Sequence, residues 1–289
     1  MIYKRFLIVF CLLVGMTGGI LAQQSERNAM KVVVFNNLTY VKPEQEKGVI
    51  SVLGTIADVL LTGQNTQQQT SYQEALRATI VKGISQGHRI TLMDGTGMSQ
   101  ANWYVDGTVS NISTTTKIEK YKDNKGKEQS RTWYKAQVGV TLHVKDAQTN
   151  QILASPMFKV SDEDLAWITT PDEAINNALQ SLSSRITDYF NRWLPLHANI
   201  IEGARDKKDK QKEVYIDLGN DTKGVYRGLR FGVYTTKIVA GKEAKRQIGK
   251  LKISDIQGGD ISLCKVQSGG KDIKAAINAG ETLLVTSIK

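Results

Sequence analysis

Cysteine and histidine are scarce in this chain of 289 residues, which contains two cysteines and three histidines. An apolar N-terminal run that follows two basic residues and ends in small residues at Ala22 is typical of a secretory signal peptide over residues 1–22. Because Cys11 lies inside that run, the exported chain keeps only Cys264 and cannot form an internal disulfide. The hydrophobic core must therefore hold the fold, and isolated histidines argue against a zinc cluster.

A long membrane-spanning segment is missing after the leader. Residues 48–63 are apolar, but they are too short to cross a bilayer as a helix, and glycines interrupt them. They could form a packed helix, a membrane-touching segment or a contact between subunits, of which we favour the core or a subunit contact. The leader predicts export across the inner membrane to the periplasm. Phe10 stands directly before Cys11, where a lipoprotein signal requires a small residue, so we expect no lipid anchor.

Most of the exported chain has no excess of positive charge. The excess lies in its last third. Residues 23–204 carry 18 basic and 18 acidic side chains, whereas residues 205–289 carry 18 basic and 10 acidic ones. In an exported protein this basic region predicts an acidic protein partner, an anionic glycan or an anionic lipid surface rather than nucleic acid. A solvated surface without a partner is an alternative of equal weight.

Several segments predict an N-terminal α/β domain over residues 23–198. The run "MKVVVFNNLTYV" has no breaker among its β-branched residues and predicts a buried strand. The run "SYQEALRATIVKGISQG" predicts a helix that begins with a capping box of Ser71 and Glu74 and ends at Gly87. Two Thr- and Val-rich runs on either side of the polar tip "KDNKGKEQS" predict a long β-hairpin.

A second helix and a small β-domain complete the chain. The helix is predicted from Thr170, its cap, to Pro195, which stops it. The charge run at residues 199–213 has no periodicity and is interpreted as a linker. Residues 214–289 hold short β-type runs separated by glycines, which predicts a small barrel of five or six strands.

Motifs for catalysis or ligand binding are weak. The pattern "GISQG" around Ser85 matches a nucleophile elbow, but an elbow needs a strand before the serine and a helix after it, and here the predicted order is reversed. The stretch Asp94–Gly97 is similar to a phosphate loop, but no second phosphate loop accompanies it, so we interpret it as a turn. Gly107 is interpreted as a bulge or a close backbone approach within a strand. We therefore expect no catalytic residue, no cofactor and no metal.

Two segments carry a family resemblance. "NWYVDGTVSN" and "VTLHVKDAQTNQIL" resemble motifs of the curli-secretion channel (CsgG) superfamily, which includes LpoB-type activators of cell-wall synthases. Asn150 stands where that family usually has glycine, and "MDG" replaces its "ER". The tail, with "IDLGNDTKGVYRGLRFGVY" and "QIGKLKISDIQGGDISLCKV", is similar to the FlgT C-terminal domain, a small SH3-like barrel. The expected fold class is therefore α+β: a CsgG/LpoB-like α/β sandwich with a mixed sheet and two main helices, followed by a small all-β SH3-like barrel.

The resemblance implies a secreted, non-catalytic envelope protein that assembles with or regulates an envelope machine. Relatives that form pores carry apolar membrane hairpins, whereas the hairpin at residues 110–135 is densely charged, so we expect no transmembrane pore. Alternatives are a ring-forming subunit, a module that binds peptidoglycan or another anionic glycan, and, least favoured, a serine hydrolase using Ser85. Four basic residues in or beside predicted barrel strands are candidates for partner binding: Arg227, Arg230, Lys250 and Lys252.

Overall fold

The computed structural model describes residues 27–40, 66–93, 100–240 and 242–288. The described residues divide into two compact units, of which one comprises residues 31–190 and the other comprises residues 27–30 and 191–288. The predicted signal peptide, the apolar segment 48–63 and the stretch Asp94–Gly97 lie outside the described residues. None of the described helices is long and apolar enough to cross a membrane.

The first unit is built on a mixed sheet, as predicted. Its described elements are β1 Lys31–Tyr40, α1 Thr66–Ser85, β2 Ile90–Met93, β3 Trp103–Lys122, β4 Glu128–Asp146, β5 Ile152–Ala154, β6 Met157–Val160 and α2 Pro171–Trp193. The strand order is β2-β1-β3-β4-β5, and β6 also pairs with β4. β1 runs parallel to β2 and β3, while the remaining pairs are antiparallel. The fold class is thus mixed α+β.

The two helices pack closely against each other, and a glycine of the "GISQG" pattern makes this possible. A Cβ atom on Gly83 would lie 2.9 Å from both the Ile186 Cβ and the Ser183 carbonyl oxygen of α2. The Thr187 hydroxyl of α2 donates a hydrogen bond of 2.9 Å to the Gly83 carbonyl. Gly83 therefore has a packing role that requires no reaction at the neighbouring serine.

The predicted start of α1 is wrong. The helix begins at Thr66, so Ser71 lies inside it and does not cap it. The residues before Ser71 include three glutamines, and glutamine has nearly the helix propensity of leucine, so these residues extend the helix. The bounds of α2 agree with the prediction, since it begins at Pro171 and ends at Trp193, two residues before Pro195.

Gly107 lies at a close approach between strands, which was one of the two predicted roles. It pairs with Leu38 on β1 and with Leu142 on β4. A Cβ atom at this position would lie 2.6 Å from Leu38 Cδ1 and 3.5 Å from Phe35 Cζ. The space that a side chain would need is therefore filled by apolar residues of β1, and Gly107 serves packing.

The predicted long hairpin is formed by β3 and β4, and its outer half is an exposed two-stranded arm, which we define as residues 115–135. On one face of the arm, the Arg131 guanidinium lies 5.6 Å from the Tyr121 ring centroid and 5.4 Å from that of Trp133. The Trp133 indole donates a 2.8 Å hydrogen bond to Glu119. On the opposite face, Ile118 is 67% exposed.

The second unit is a closed six-stranded barrel. Its strands follow the order β10-β11-β8-β7-β12-β9, and every pair is antiparallel. The elements are β7 His197–Lys207, β8 Lys210–Ile216, β9 Arg230–Val239, β10 Lys242–Ile256, β11 Ser262–Ser268, α3 Gly270–Asn278 and β12 Leu284–Ile288. A small barrel was predicted, and its finer assignment as SH3-like stays a prediction.

The predicted linker at residues 199–213 is wrong, because these residues form β7 and most of β8, two paired strands of the barrel. The outer part of this hairpin is exposed on both faces, so its sequence lacks the alternation that would have indicated strands. Lys208, at φ 57°, makes the tight turn between them. The barrel unit therefore begins well before residue 214.

Residues 27–30 also belong to the barrel unit rather than to the predicted α/β domain. The Asn28 side chain pairs with the backbone of His197: the Asn28 Oδ1 atom accepts a 2.9 Å hydrogen bond from the amide N–H, and the Asn28 Nδ2 group donates one of 2.6 Å to the carbonyl. The Asn28 side chain thus makes the two backbone hydrogen bonds that a neighbouring strand would make at this point. Such a long-range contact leaves no trace in sequence periodicity.

Candidate functional site

Three positively charged side chains lie side by side on the outer wall of the barrel. Lys252 of β10 is directly opposite Arg230 of β9 on one side and Lys265 of β11 on the other. All three residues are exposed. Directly opposed residues of an antiparallel pair place their Cβ atoms about 5 Å apart, and like charges at that distance destabilise the pair. We refer to Arg230, Lys252 and Lys265 as the cationic row.

The row faces outward because side chains alternate between the two faces along each strand. Leu251 and Ile253 flank Lys252 and are buried in the barrel core. Phe231 and Cys264, next to the other two members of the row, are buried in the same core. Since successive side chains of a strand point to opposite faces, the charged residues between these apolar neighbours must point to solvent.

The cationic row lacks an ion pair among the residues that the structure describes. None of its three members forms an ion pair with a described carboxylate. Glu213 of β8 is directly opposite Lys265, but its carboxylate receives two 3.0 Å hydrogen bonds from the Arg205 guanidinium. The ion pair of Glu213 is therefore with Arg205 and not with a member of the row.

The structure brings together three of the four predicted partner-binding residues. Arg230 and Lys252 belong to the cationic row, and Lys250 lies two residues before Lys252 on the same strand and is also exposed. Arg227 differs, because it lies in the loop before β9 and its guanidinium forms an ion pair with Asp255. Its charge is therefore already matched, although an exposed pair of this kind contributes little stability.

Lys265 is the member of the site that sequence reasoning missed. A usable signal existed in "ISLCKV", because placing Cys264 inside the barrel puts Lys265 outside by simple alternation. The sequence did not show that β11 is the neighbour of β10 at this register. The importance of Lys265 comes from that adjacency.

Cys264 is buried in the barrel core, where burial raises the pKa of its thiol to about 12. A thiol with so high a pKa carries almost no thiolate at neutral pH, and the thiolate is the reactive form. Cys264 is therefore a small apolar residue of the core and not a reactive thiol.

Ser85 lies where the sequence predicted it, at the end of a helix. It is the last residue of α1, its hydroxyl donates a 2.9 Å hydrogen bond to the Lys82 carbonyl, and β2 follows. This order is the reverse of a nucleophile elbow. Within the described part of the chain, no group of three or more His, Cys, Asp or Glu side chains is arranged to hold a metal ion.

The fold and the site define a class: a two-unit α+β protein whose antiparallel barrel presents a cationic outer wall. No protein-family model matches the chain, and no curated protein matches it either. Solved structures are similar to the chain, and the similarity extends over little more than half of it.

Three of these structures come from different bacteria. A putative neuraminyllactose-binding hemagglutinin homolog from Helicobacter pylori is 13% identical, with 57% of this chain and 83% of that chain covered and a TM-score of 0.32. The PelC dodecamer from Paraburkholderia phytofirmans is 13% identical, with 56% and 88% covered and a TM-score of 0.26. The hypothetical protein CT253 from Chlamydia trachomatis is 11% identical, with 56% and 98% covered and a TM-score of 0.28. With TM-scores this low, these similarities carry no functional argument.

Proposed function

We propose that this protein is a secreted, non-enzymatic component of the cell envelope that binds an acidic protein partner through the cationic row of its barrel. The observation that supports this most strongly is the direct opposition of Lys252 to both Arg230 and Lys265, none of which forms an ion pair with a described carboxylate. Such an arrangement costs stability in the isolated protein. A partner carboxylate placed over the row removes that cost and gains charge-assisted hydrogen bonds.

The row has the geometry of a docking surface for a folded partner. Its three side chains project from three neighbouring strands of a closed barrel, so the backbone beneath them is rigid. Lys250 extends the charged area along β10. Binding here is expected to be fast and sensitive to salt, because exposed charges are screened beyond about 8 Å at physiological ionic strength.

The resemblance to envelope adaptors and to the FlgT C-terminal domain is consistent with this role, as is the N-terminal leader. In this proposal the α/β unit docks on an envelope machine or on a copy of itself, and the barrel wall contacts the acidic partner. The protein is exported to the periplasm and is not a lipoprotein.

The test is photo-crosslinking in cells, with a photoreactive amino acid at Gln267. This residue is exposed and lies two positions after Lys265 on the same strand. We expect one dominant adduct whose partner, identified by mass spectrometry, carries an acidic surface. The triple variant Arg230→Gln, Lys252→Gln and Lys265→Gln should lose the adduct.

The matched control neutralises three exposed lysines elsewhere in the barrel, Lys207→Gln, Lys237→Gln and Lys242→Gln, with the same change in net charge. It should keep the adduct. Loss of the adduct in both triples would show that net charge alone matters, and the absence of any adduct in the unmodified sequence background would refute docking at the row.

A further inference from the structure

A separate cleft lies on the barrel wall, with a volume of about 390 Å³. Such a volume suits a small organic molecule. The lining residues come from β7, β12, β9, β10 and the segment before β1: Arg27, His197, Tyr234, Thr236, Lys245, Leu284, Val285 and Thr286. None of these residues belongs to the cationic row.

Strand pairing brings the floor of the cleft together. Thr286 of β12 is opposite His197 of β7, and the His197 Nδ1 atom lies 3.2 Å from the Thr286 hydroxyl oxygen. Leu284 is opposite Tyr234 of β9. At the outer end, Lys245 of β10 is opposite Thr236. Hydroxyl groups, an imidazole and an apolar patch are thereby presented on one continuous surface.

Tyr234 is positioned by the absence of a side chain beside it. A Cβ atom on Gly232 would lie 2.8 Å from the Tyr234 hydroxyl oxygen and 2.9 Å from a ring carbon. The ring therefore lies across Gly232, against the barrel wall. This arrangement gives the cleft a flat aromatic wall with its hydroxyl group at one end.

Arg27 reaches the cleft because its neighbour is anchored. The two hydrogen bonds between the Asn28 side chain and the His197 backbone hold this segment against β7. Arg27 and Lys245 thus provide two positive charges, and the described lining contains no carboxylate. Asp217 lies near Arg27, but Asn199 hydrogen-bonds its carboxylate and burial raises its pKa, an effect that the charge of Arg27 opposes.

We infer that this cleft binds a small sugar acid or sugar phosphate. Arg27 and Lys245 match its anionic group, because two cations in a described lining without a carboxylate favour carboxylate or phosphate. The Tyr234 ring and Leu284 match the C–H face of a sugar ring, and the surrounding hydroxyl groups match its hydroxyls. The inference goes beyond the docking role of the cationic row and uses different side chains, so either can fail alone.

The three histidines of the chain provide the readout. His197 lines the cleft, whereas His143 lies on β4 of the sheet, with its Nδ1 atom 3.1 Å from the Ser155 hydroxyl oxygen, and serves as an internal reference. The full protein is titrated with glucuronate and, separately, with glucose 6-phosphate while side-chain NMR signals of the histidines are followed. We expect a saturable shift of His197 and none of His143, and the two ligands distinguish carboxylate from phosphate recognition.

Two controls define the ligand class. Glucose without a charge and inorganic phosphate without a sugar should each move His197 much less than the charged sugars do. If inorganic phosphate shifted the His197 signal as much as the charged sugars do, the cleft would bind an adventitious ion only. If glucose shifted it as much, the two cations would have no role in binding. No shift of His197 with either charged sugar at millimolar concentration would overturn the inference.

Variants locate the binding. Lys245→Gln and Arg27→Gln should each weaken binding about tenfold, since each removes a charge-assisted contact. Lys242→Gln, an exposed lysine of the same strand outside the cleft, should leave the affinity unchanged. Gly232→Ala should displace the Tyr234 ring and weaken binding without changing charge. Equal affinities of the Lys245 and Lys242 variants would contradict the assignment of the site.

Discussion

The arm of the first unit and the cationic row of the barrel are both basic and exposed, but they differ in which residues lie directly opposite their cations. In the paired strands of the arm, no cation directly opposes another: Arg131 faces Glu119, Lys122 faces Glu128 and Lys120 faces Ser130. In the barrel, Lys252 directly opposes two cations. The paired strands of the arm thus avoid opposing like charges, whereas the row places like charges opposite each other.

Aromatic rings extend this difference. Arg131 lies over two rings of the arm, and at its base the Lys135 ammonium lies 4.8 Å from the Trp167 ring centroid. An isolated two-stranded ribbon is marginally stable in water, so these contacts give the arm stability that the closed barrel obtains from its core. Arg131 and Lys135 of the arm therefore have ring contacts that no member of the row has among the described contacts.

The largest expected effect concerns binding. The triple variant of the row, Arg230→Gln, Lys252→Gln and Lys265→Gln, should weaken affinity for the crosslinked partner about a hundredfold, because three contacts of about 1 kcal/mol each are lost. Isothermal titration with the purified partner at 50 mM and 300 mM salt measures this. Neutralising Lys117, Lys120 and Lys122 in the arm should leave affinity unchanged, and a comparable loss there would erase the distinction between the two surfaces.

The second effect concerns the order of the arm. Trp133→Ala removes a ring beneath Arg131 and the hydrogen bond to Glu119, which should destabilise the arm locally by about 1 kcal/mol. Hydrogen exchange should accelerate for the arm amides and stay unchanged in the barrel. Ile118→Ala, on the opposite exposed face, is the control and should change little. Equal acceleration in both variants would mean that the ring contacts do not stabilise the arm.

Charge reversal should change stability in opposite directions on the two surfaces. Lys252→Glu places an acid between Arg230 and Lys265 and should raise the free energy of unfolding of the barrel by about 0.5 kcal/mol. Arg131→Glu opposes Glu119 and should lower local stability in the arm by a similar amount. Urea unfolding measures the first change and hydrogen exchange the second. The same sign at both positions would contradict the comparison.

The smallest effect is a pH response at the tip of the arm. Backbone N–H groups of Lys127 and Lys125 donate hydrogen bonds of 2.9 Å to Asp123, and these bonds hold the pKa of its carboxyl below its usual range. A depressed pKa adds stability above the unfolded value of about 3.9, and this stability is lost as pH falls through the folded value.

Amide NMR signals of Lys125 and Lys127 should therefore report opening of the tip only below about pH 4. Asp123→Asn keeps an oxygen acceptor and should remove the pH dependence while preserving the turn, whereas Asp123→Ala should open the tip at every pH. A tip that opens at neutral pH in the unmodified chain would refute this account.

Much of the fold could be predicted from the sequence, because strong local patterns encode it. The Val-rich first strand, the long hairpin and the helix α2 are all present with bounds close to those predicted. The errors fall where local pattern is weak. Polar residues extend α1 back to Thr66, and a charged segment without alternation forms β7 and β8.

The sequence by itself determined which side chains of the barrel are inside and which are outside, since alternation with buried neighbours such as Leu251 and Cys264 requires no knowledge of the fold. Only the tertiary structure decided which outward residues are neighbours. Barrel closure places β10 between β9 and β11, so that Lys252 lies between Arg230 and Lys265. It likewise brings Arg27 to β7 through Asn28, because hydrogen bonds between distant segments depend on register, which no single segment encodes.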